Sequence, residues 1–235
     1  MSGRKITVDM VILSIGVKPA IKLAKESGLE IGEAGGIKVN PYLQTSNPDV
    51  YAVGDAIEFP SPITGKPFMN YLAGPANRQG RICADNIILG NVTEYQGSIS
   101  TAIAKVFDIT VASTGIASKI LKKSGIKYLD SITHSASHAG YYPGAIPMTI
   151  KIIYQPETGK LFGAQVVGYD SVDKRLDLIA SVVKKGGTIY DLIDIEHAYA
   201  PPYSSAKDPV NMAGYVAENI LNGKVKIKHW RHVNA

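Results

Sequence analysis

Two stretches of this sequence hold residues with usable chemistry at close spacing. In the first, Thr45-Ser46-Asn47-Pro48-Asp49 leads into Val50-Tyr51-Ala52-Val53-Gly54-Asp55. The apolar run predicts a buried strand that delivers Gly54 and Asp55 to the carboxyl edge of an α/β sheet, where ligands bind in open folds of this class. Glycine lets a ligand approach the backbone, and a carboxylate accepts hydrogen bonds from sugar-type hydroxyls. Asp55 therefore reads either as the holder of a polyol or as the cap of a turn after a strand. Asn70-Tyr71-Leu72-Ala73-Gly74-Pro75-Ala76-Asn77-Arg78-Gln79-Gly80-Arg81 follows and leads into a helix. The first-turn N–H groups of a helix have no partner inside it, so such a start favours a carbonyl oxygen or an anion. Asn77, Arg78 and Arg81 are ligand contacts on that reading, and a solvated helix start on the other.

In the second stretch, Ala198-Tyr199-Ala200-Pro201-Pro202-Tyr203-Ser204-Ser205-Ala206-Lys207-Asp208-Pro209, two prolines stiffen a loop that presents two tyrosines and a lysine. A phenol can donate a hydrogen bond or proton to a departing thiolate, and Lys207 can offset phosphate charge. Aromatic packing at an interface and a solvated cation are the alternatives. Ser204 to Lys207 spells Ser-x-x-Lys, but the companion motifs of the penicillin-binding enzymes are missing. His134 with His138, and His229 with His232, have helical spacing without the cysteines or carboxylates that complete a metal site, so no metal is expected.

The elements that must position these residues change in texture along the chain. Val8 to Gly16 is a short apolar run and predicts a strand buried on both faces. A short helix opened by Pro19 and stopped by Gly28 follows, and a Pro-rich loop spans Phe59 to Pro67. Asn77 to Leu89 predicts a helix ended by Gly90, with Gly80 and Ala84 on one side for close approach to another backbone. Beyond Gly97 the pattern becomes that of an antiparallel sheet, with strands at 106–113, 127–133, 148–154 and 160–167. Helices at 172–185 and from Asp208-Pro209 to Leu221 are expected to pack on it.

The 235 residues, 45% of them apolar, suffice for one large domain or two small ones with a real core. No run approaches the roughly 20 apolar residues that span a bilayer, and a strand pattern stands where a signal peptide would have its apolar block, so a cytoplasmic protein is expected. One cysteine, Cys83, excludes an intrachain disulfide or redox pair and reads as a small buried apolar residue. Much of the net charge of +5 sits in Lys224 to His232. With acids interspersed elsewhere and no nucleic-acid module, neither nucleic acid nor membrane is expected as a partner.

Thr45 to Asp55 resembles the second flavin-binding motif of flavoproteins with two dinucleotide-binding domains. Leu72 to Arg81 is similar to the helix that follows it in the coenzyme A-disulfide reductase, NADH oxidase and NADH peroxidase branch of the FAD-dependent pyridine nucleotide-disulfide oxidoreductases. Residues 8–222 run parallel to that pattern. The resemblance implies an α/β flavin-domain remnant at 1–98, an α+β dimerisation domain at 99–222 with an antiparallel sheet and helices, and a basic tail or linker at 223–235. It implies that Gly54 and Asp55 contact the FAD ribityl chain, that backbone at Leu72 and Ala73 faces the isoalloxazine ring, and that Asn77 lies near a thiol substrate. Glutathione reductase-like relatives carry a His-Pro dipeptide where Tyr199 stands here, as a tyrosine does in coenzyme A-disulfide reductases. With Gly140-Tyr141-Tyr142-Pro143-Gly144, the family pattern has Tyr141 and Tyr199 enter the active site, beside the flavin, of the other subunit of a homodimer, with Lys207 toward substrate phosphate.

The implied activity passes a hydride from NADH or NADPH through FAD to a cysteine that reduces coenzyme A disulfide, a persulfide or a related sulfur substrate. A water- or peroxide-forming NADH oxidase or peroxidase is the alternative within the class. The redox cysteine and both nucleotide fingerprints of a complete member are not in this sequence. The isolated chain is therefore expected to be inactive, and a non-catalytic dimerisation module is the alternative from another class. Some members continue into a rhodanese domain after a tail like residues 223–235.

Overall fold

A computed structural model describes residues 3–228, which leaves the His229 and His232 pair and the end of the basic tail outside the described residues. Two separate sheets organise the described residues. The first is small. A short helix, α1 (Lys22–Glu26), precedes strand β1 (Ile37–Lys38), which runs parallel to β2 (Ile57–Pro60), and β2 turns back on β3 (Pro67–Phe68). Helix α2 (Ala73–Leu89) lies against them and ends at Gly90, whose φ of +84° is the left-handed conformation that glycine adopts without strain. Leu43, Ile57, Phe59, Ile82, Cys83 and Tyr95 form the core, with Phe59 edge-on to Phe68 and Tyr95. Cys83 is buried there, and desolvation pushes its thiol up from its ordinary value, as expected of an inert packing residue.

Five expectations for this half are corrected. Val8–Gly16 is not a buried strand: Ile6 to Val17 has no regular structure, and its apolar side chains are each more than half exposed. A strand buried on both faces needs a hydrogen-bonded neighbour on each side, and the three-stranded sheet offers none to this segment. Val50–Asp55 forms only an isolated bridge, Gln44 to Tyr51, before a 3-10 turn at Gly54–Ala56; the strand follows it, at β2. The Phe59–Pro67 loop is the β2–β3 hairpin. Helix α2 begins at Ala73, four residues before Asn77, because Pro75 fits a first turn that needs no N–H from it. A methyl group added at Gly80 would meet nothing within 4 Å, so the expected close approach there is absent among the described residues.

The second sheet is five-stranded and antiparallel throughout: β4 (Ala102–Val106), β5 (Ile109–Gly115), β6 (Leu129–Ala136), β7 (Pro147–Tyr154) and β8 (Leu161–Gly168), in the order β4-β5-β8-β7-β6. The expected strand at 106–113 straddles two of these, since the chain reverses at Phe107-Asp108. Helix α3 (Ser118–Lys123) crosses one face, while α4 (Val172–Lys184) and α6 (Pro209–Leu221) cover the other. The core fits the period-two pattern of a strand against the 3.6-residue stripe of a helix. Met148, Ile150, Ile152 and Tyr154 alternate inward and meet Leu176, Ile179 and Val183 of α4 and Val210, Ala213 and Ala217 of α6. The Tyr154 hydroxyl donates to Ala217 O at 3.4 Å, and burial pushes its phenol up to about 12.

Between α4 and α6 lies α5 (Ile189–Asp194), opened by a capping box in which Thr188 and Asp191 satisfy each other's backbone and side chain. A methyl at Gly214 of α6 would come within 2.8 Å of Ile193 Cγ1, so glycine there sets the close packing of α5 on α6. Asp208 caps α6, accepting from Val210 N–H at 2.9 Å, with Pro209 in the first turn as the sequence predicts.

Candidate functional site

The residues singled out by the sequence fall into two groups, one on each sheet unit. In the first, Val53 is extended and Gly54 turns to a φ of +80°, a conformation strained for any side chain. Gly54 N–H donates to Gln79 Oε1 at 2.7 Å, and Gln79, almost fully buried on α2, thereby fixes the turn to the helix. Asp55 is left exposed in the first turn of the 3-10 segment. Opposite, α2 starts after Leu72, which is extended and supplies no side-chain cap. Ala76 N–H already bonds Leu72 O at 3.2 Å and Pro75 has no N–H, so the free donors of this helix end are those of Ala73 and Gly74. Asn77 folds back, its Nδ2 donating to Ala73 O at 2.9 Å. A cleft of about 680 Å3 opens at this helix start, lined by Gly74, Pro75 and Arg78 on one side and Asp177, Ser181 and Lys184 of α4 on the other. Lys184 Nζ donates to Gln96 O at 2.8 Å and Gly97 O at 2.7 Å, which ties α4 to the segment joining the two units. Burial, then the Arg78 charge, lowers its ammonium pKa.

In the second group, Tyr141 sits in the turn after β6 and Tyr199 in the loop after α5, 58 residues apart in sequence, and their hydroxyl oxygens are 3.2 Å apart. Tyr141 is 77% exposed and Tyr199 47% exposed, so the pair is presented to the outside. The hydrogen bond with Tyr141, and then desolvation, raises the Tyr199 phenol above its ordinary value. A 240 Å3 cavity beside it is lined by Lys174, Ala198, Tyr199, Ala200 and Tyr203. Lys207 is exposed on the same loop but does not line this cavity; Lys174, which no motif marks, does. The two cavities have no lining residue in common.

Beneath the tyrosine loops lies a network that motif reasoning missed. Arg175 and Asp208 are fully buried and pair at 2.9 Å, and Ser204 Oγ donates to the same Asp208 oxygen at 2.6 Å. Burial raises the Asp208 carboxyl, but Ser204, the Val210 N–H and Arg175 outweigh it and hold its pKa below the ordinary value. Ser204 is thereby engaged as a structural donor, which removes it as a nucleophile. His197 Nδ1 stands 3.7 Å from Asp208, its Nε2 buried without a partner, and burial lowers its pKa. The signal that could have revealed the network is Arg175 itself, an arginine on the stripe of α4 that carries Val172, Leu176 and Ile179.

His134 and His138 do not converge: His134 Nδ1 bonds Thr149 Oγ1 at 3.0 Å, while His138 is buried against Tyr142. Among the described residues no group of three or more His, Cys, Asp or Glu could hold a metal ion, and no helix is long and apolar enough to cross a membrane.

Residues 1–82 match the family described as pyridine nucleotide-disulphide oxidoreductase, and residues 101–209 match the dimerisation domain of the same family. A coenzyme A disulfide reductase of Staphylococcus aureus is 36% identical over 92% of this chain and 49% of its own length. Among solved structures, the reduced form of Bacillus anthracis CoADR-RHD superposes with a TM-score of 0.93 at 52% identity, over 97% of this chain and 41% of that one. An NAD-dependent persulfide reductase from A. fulgidus superposes with a TM-score of 0.89 at 39% identity, over 93% of this chain and 41% of that one. The chain thus spans about half the length of the curated relatives it matches.

Proposed function

The chain belongs to the pyridine nucleotide-disulphide oxidoreductase family, and from that premise we propose that it supplies the flavin edge and the subunit contact of an FAD-dependent NAD(P)H oxidoreductase. Its substrate is coenzyme A disulfide, a persulfide or a related sulfur compound, and its assembly is a cytoplasmic homodimer. The domain division falls near residue 98, between the two sheets.

The residues present fit a flavin. The free N–H groups of Ala73 and Gly74 suit a ring carbonyl, Asp55 is open to ribityl hydroxyls, and glycine at 54 keeps the approach clear. Bound FAD would supply two-electron transfer between reduced nicotinamide and sulfur. Leu72 and Ala73 orient it through backbone, Asn77 meets the thiol end of the substrate, and Lys207 offsets its phosphates. Tyr141 and Tyr199 of one subunit serve the flavin edge of the other. The attacking thiolate, from the redox cysteine of a complete enzyme, would form a mixed disulfide as the substrate's sulfur–sulfur bond breaks; the departing thiolate takes the proton of Tyr199, whose phenolate regains one from solvent, while Tyr141 holds that phenol in place.

The observation that carries this reading is the exposed pair of phenols, brought from two separate loops to 3.2 Å apart. Tyr199→Phe in the flavin-loaded, full-length enzyme is expected to lower kcat for disulfide reduction about 100-fold with KM little changed. Undiminished turnover would overturn the proton-donor role. One observation favours a second reading of the isolated chain, as a dimerisation module without flavin: the apolar side chains of residues 6–17 are uncovered, and among the described residues no strand pairs with that segment. Stoichiometric FAD uptake by the purified chain, read from its visible spectrum, would exclude that.

A further inference from the structure

The geometry points to Arg175 as a positioning residue that holds Tyr141 and Tyr199 together by clamping the backbone of both tyrosine loops with one guanidinium. This rests on the tyrosine pair being the functional group proposed above. Arg175 hydrogen-bonds neither tyrosine side chain. Its Nη2 donates to Ser137 O at 2.9 Å, four residues before Tyr141, and lies 3.4 Å from Tyr203 O, four residues after Tyr199. The same Nη2 donates to Asp208 Oδ2 at 2.9 Å, with Nε 3.5 Å from Asp208 Oδ1, and Ser204 hydrogen-bonds that carboxylate from within the second loop.

The two loops are also stitched to each other, since Ala139 N–H donates to Ser204 O at 3.0 Å. Short turns carry the constraint outward: Tyr142 N–H bonds Ala139 O at 2.9 Å, and Tyr203 N–H bonds Ala200 O at 2.9 Å. The whole path from guanidinium to phenol is thus backbone hydrogen bonds and tight turns.

A planar guanidinium with several fixed donors can serve two carbonyls and a carboxylate at once, and a lysine ammonium at the same place cannot match that fork. A buried ion pair is weak evidence of stability for its own sake, because apolar or neutral replacement of both partners is often neutral or stabilising. That separates positioning from folding. Arg175→Met with Asp208→Asn removes both buried charges, keeps a capping side chain at the start of α6, and leaves the two loops without their common donor.

The test is oxidative coupling of the two phenols in the purified chain, with persulfate and a photosensitiser, reading the Tyr141–Tyr199 dityrosine peptide by mass spectrometry. Tyr141→Phe sets the background. The double variant is expected to unfold at a thermal midpoint close to that of the parent, yet to yield about fivefold less of the linked peptide; Arg175→Lys is expected to lose about twofold. A folded double variant with undiminished linkage would falsify the clamp. Should the double variant fail to fold, Ser204→Ala decides: it removes one bond from the network and leaves the ion pair, so about a twofold loss supports the clamp and an unchanged yield overturns it.

The readout needs neither flavin nor substrate, so the two proposals fail separately. Unchanged turnover in Tyr199→Phe with a linkage that depends on Arg175 removes the proton-donor role and leaves the clamp. Reduced turnover with a linkage indifferent to Arg175 does the reverse.

Discussion

The two halves of this chain have similar apolar patterning and opposite outcomes. The half around the five-stranded sheet closes its own core: Leu176 and Ile179 are at most 1% exposed beneath strands that each pair along their length. In the other half an equally apolar segment lies open, with Ile12 82% and Ile15 89% exposed, and Ile88 and Leu89 at the end of α2 are uncovered too. In the antiparallel unit every strand finds its neighbours within this chain, through hairpins and the longer-range β5–β8 pairing, and helices cover its core. A parallel sheet takes its neighbours from distant crossovers, and its strands have no fold without them. Apolar periodicity records which partner a segment requires, and the chain around it determines whether that partner is there.

That contrast can be broken most directly by the largest effect it implies. Leu176→Ala is expected to cost about 3 kcal/mol of unfolding free energy, the lost transfer of a buried leucine plus the cavity it leaves. Ile12→Ser is expected to shift stability by less than about 0.5 kcal/mol, as for an exposed position with no packing to lose. Urea unfolding of both variants measures the difference; comparable losses would show that residues 6–17 are covered in solution.

A smaller effect belongs to the closed half and depends on pH. His197 has its pKa lowered below the ordinary 6.5, by burial first. The unfolded chain therefore binds this proton before the folded one does, so stability falls as pH drops below about 6.5 and levels off once the folded histidine also protonates. Asp208, held below its ordinary 3.8, stays ionised through that window. The slope from one such group cannot exceed about 1.4 kcal/mol per pH unit. Urea midpoints compared at pH 7.5 and 5.5 are expected to fall less in His197→Gln than in the parent. An equal fall in both would assign the acid sensitivity elsewhere.

What the sequence made legible follows the same division. Asp208-Pro209 and Gly90 mark helix ends because capping chemistry is local, and Met148 to Tyr154 alternates because both of its faces are settled by elements within the chain. The hairpin at Phe107-Asp108 went unread, since the position that takes a φ of +54° is a phenylalanine, with no glycine or asparagine to announce it. Val8–Gly16 and Val50–Asp55 were legible as apolar runs, but their pairing is a non-local property. Tyr199 was marked by its proline-stiffened loop and Tyr141 through a family resemblance, and the structure adds that the two meet. Asp208 was legible as the cap of α6, but Arg175 belongs to no motif and lies 33 residues away, so their pairing was invisible beyond the oddity of a cation on an apolar stripe.

The smallest expected effect probes the open half at a point where the sequence suggested close packing. Gly80 sits inside α2 with ordinary helical backbone and open space where a side chain would go. Glycine in a helix interior is less favourable than alanine by about 0.8–1.0 kcal/mol, mainly because the unfolded chain is more flexible there. With nothing for the methyl group to strike, Gly80→Ala is expected to stabilise the chain by about that amount in urea unfolding. Should Gly80 instead be the contact point for another backbone in the assembled protein, the same substitution would stabilise the isolated chain while weakening assembly. Sedimentation of the variant beside its unfolding curve reads both effects, and a stabilised monomer would identify the face of α2 that the assembly covers.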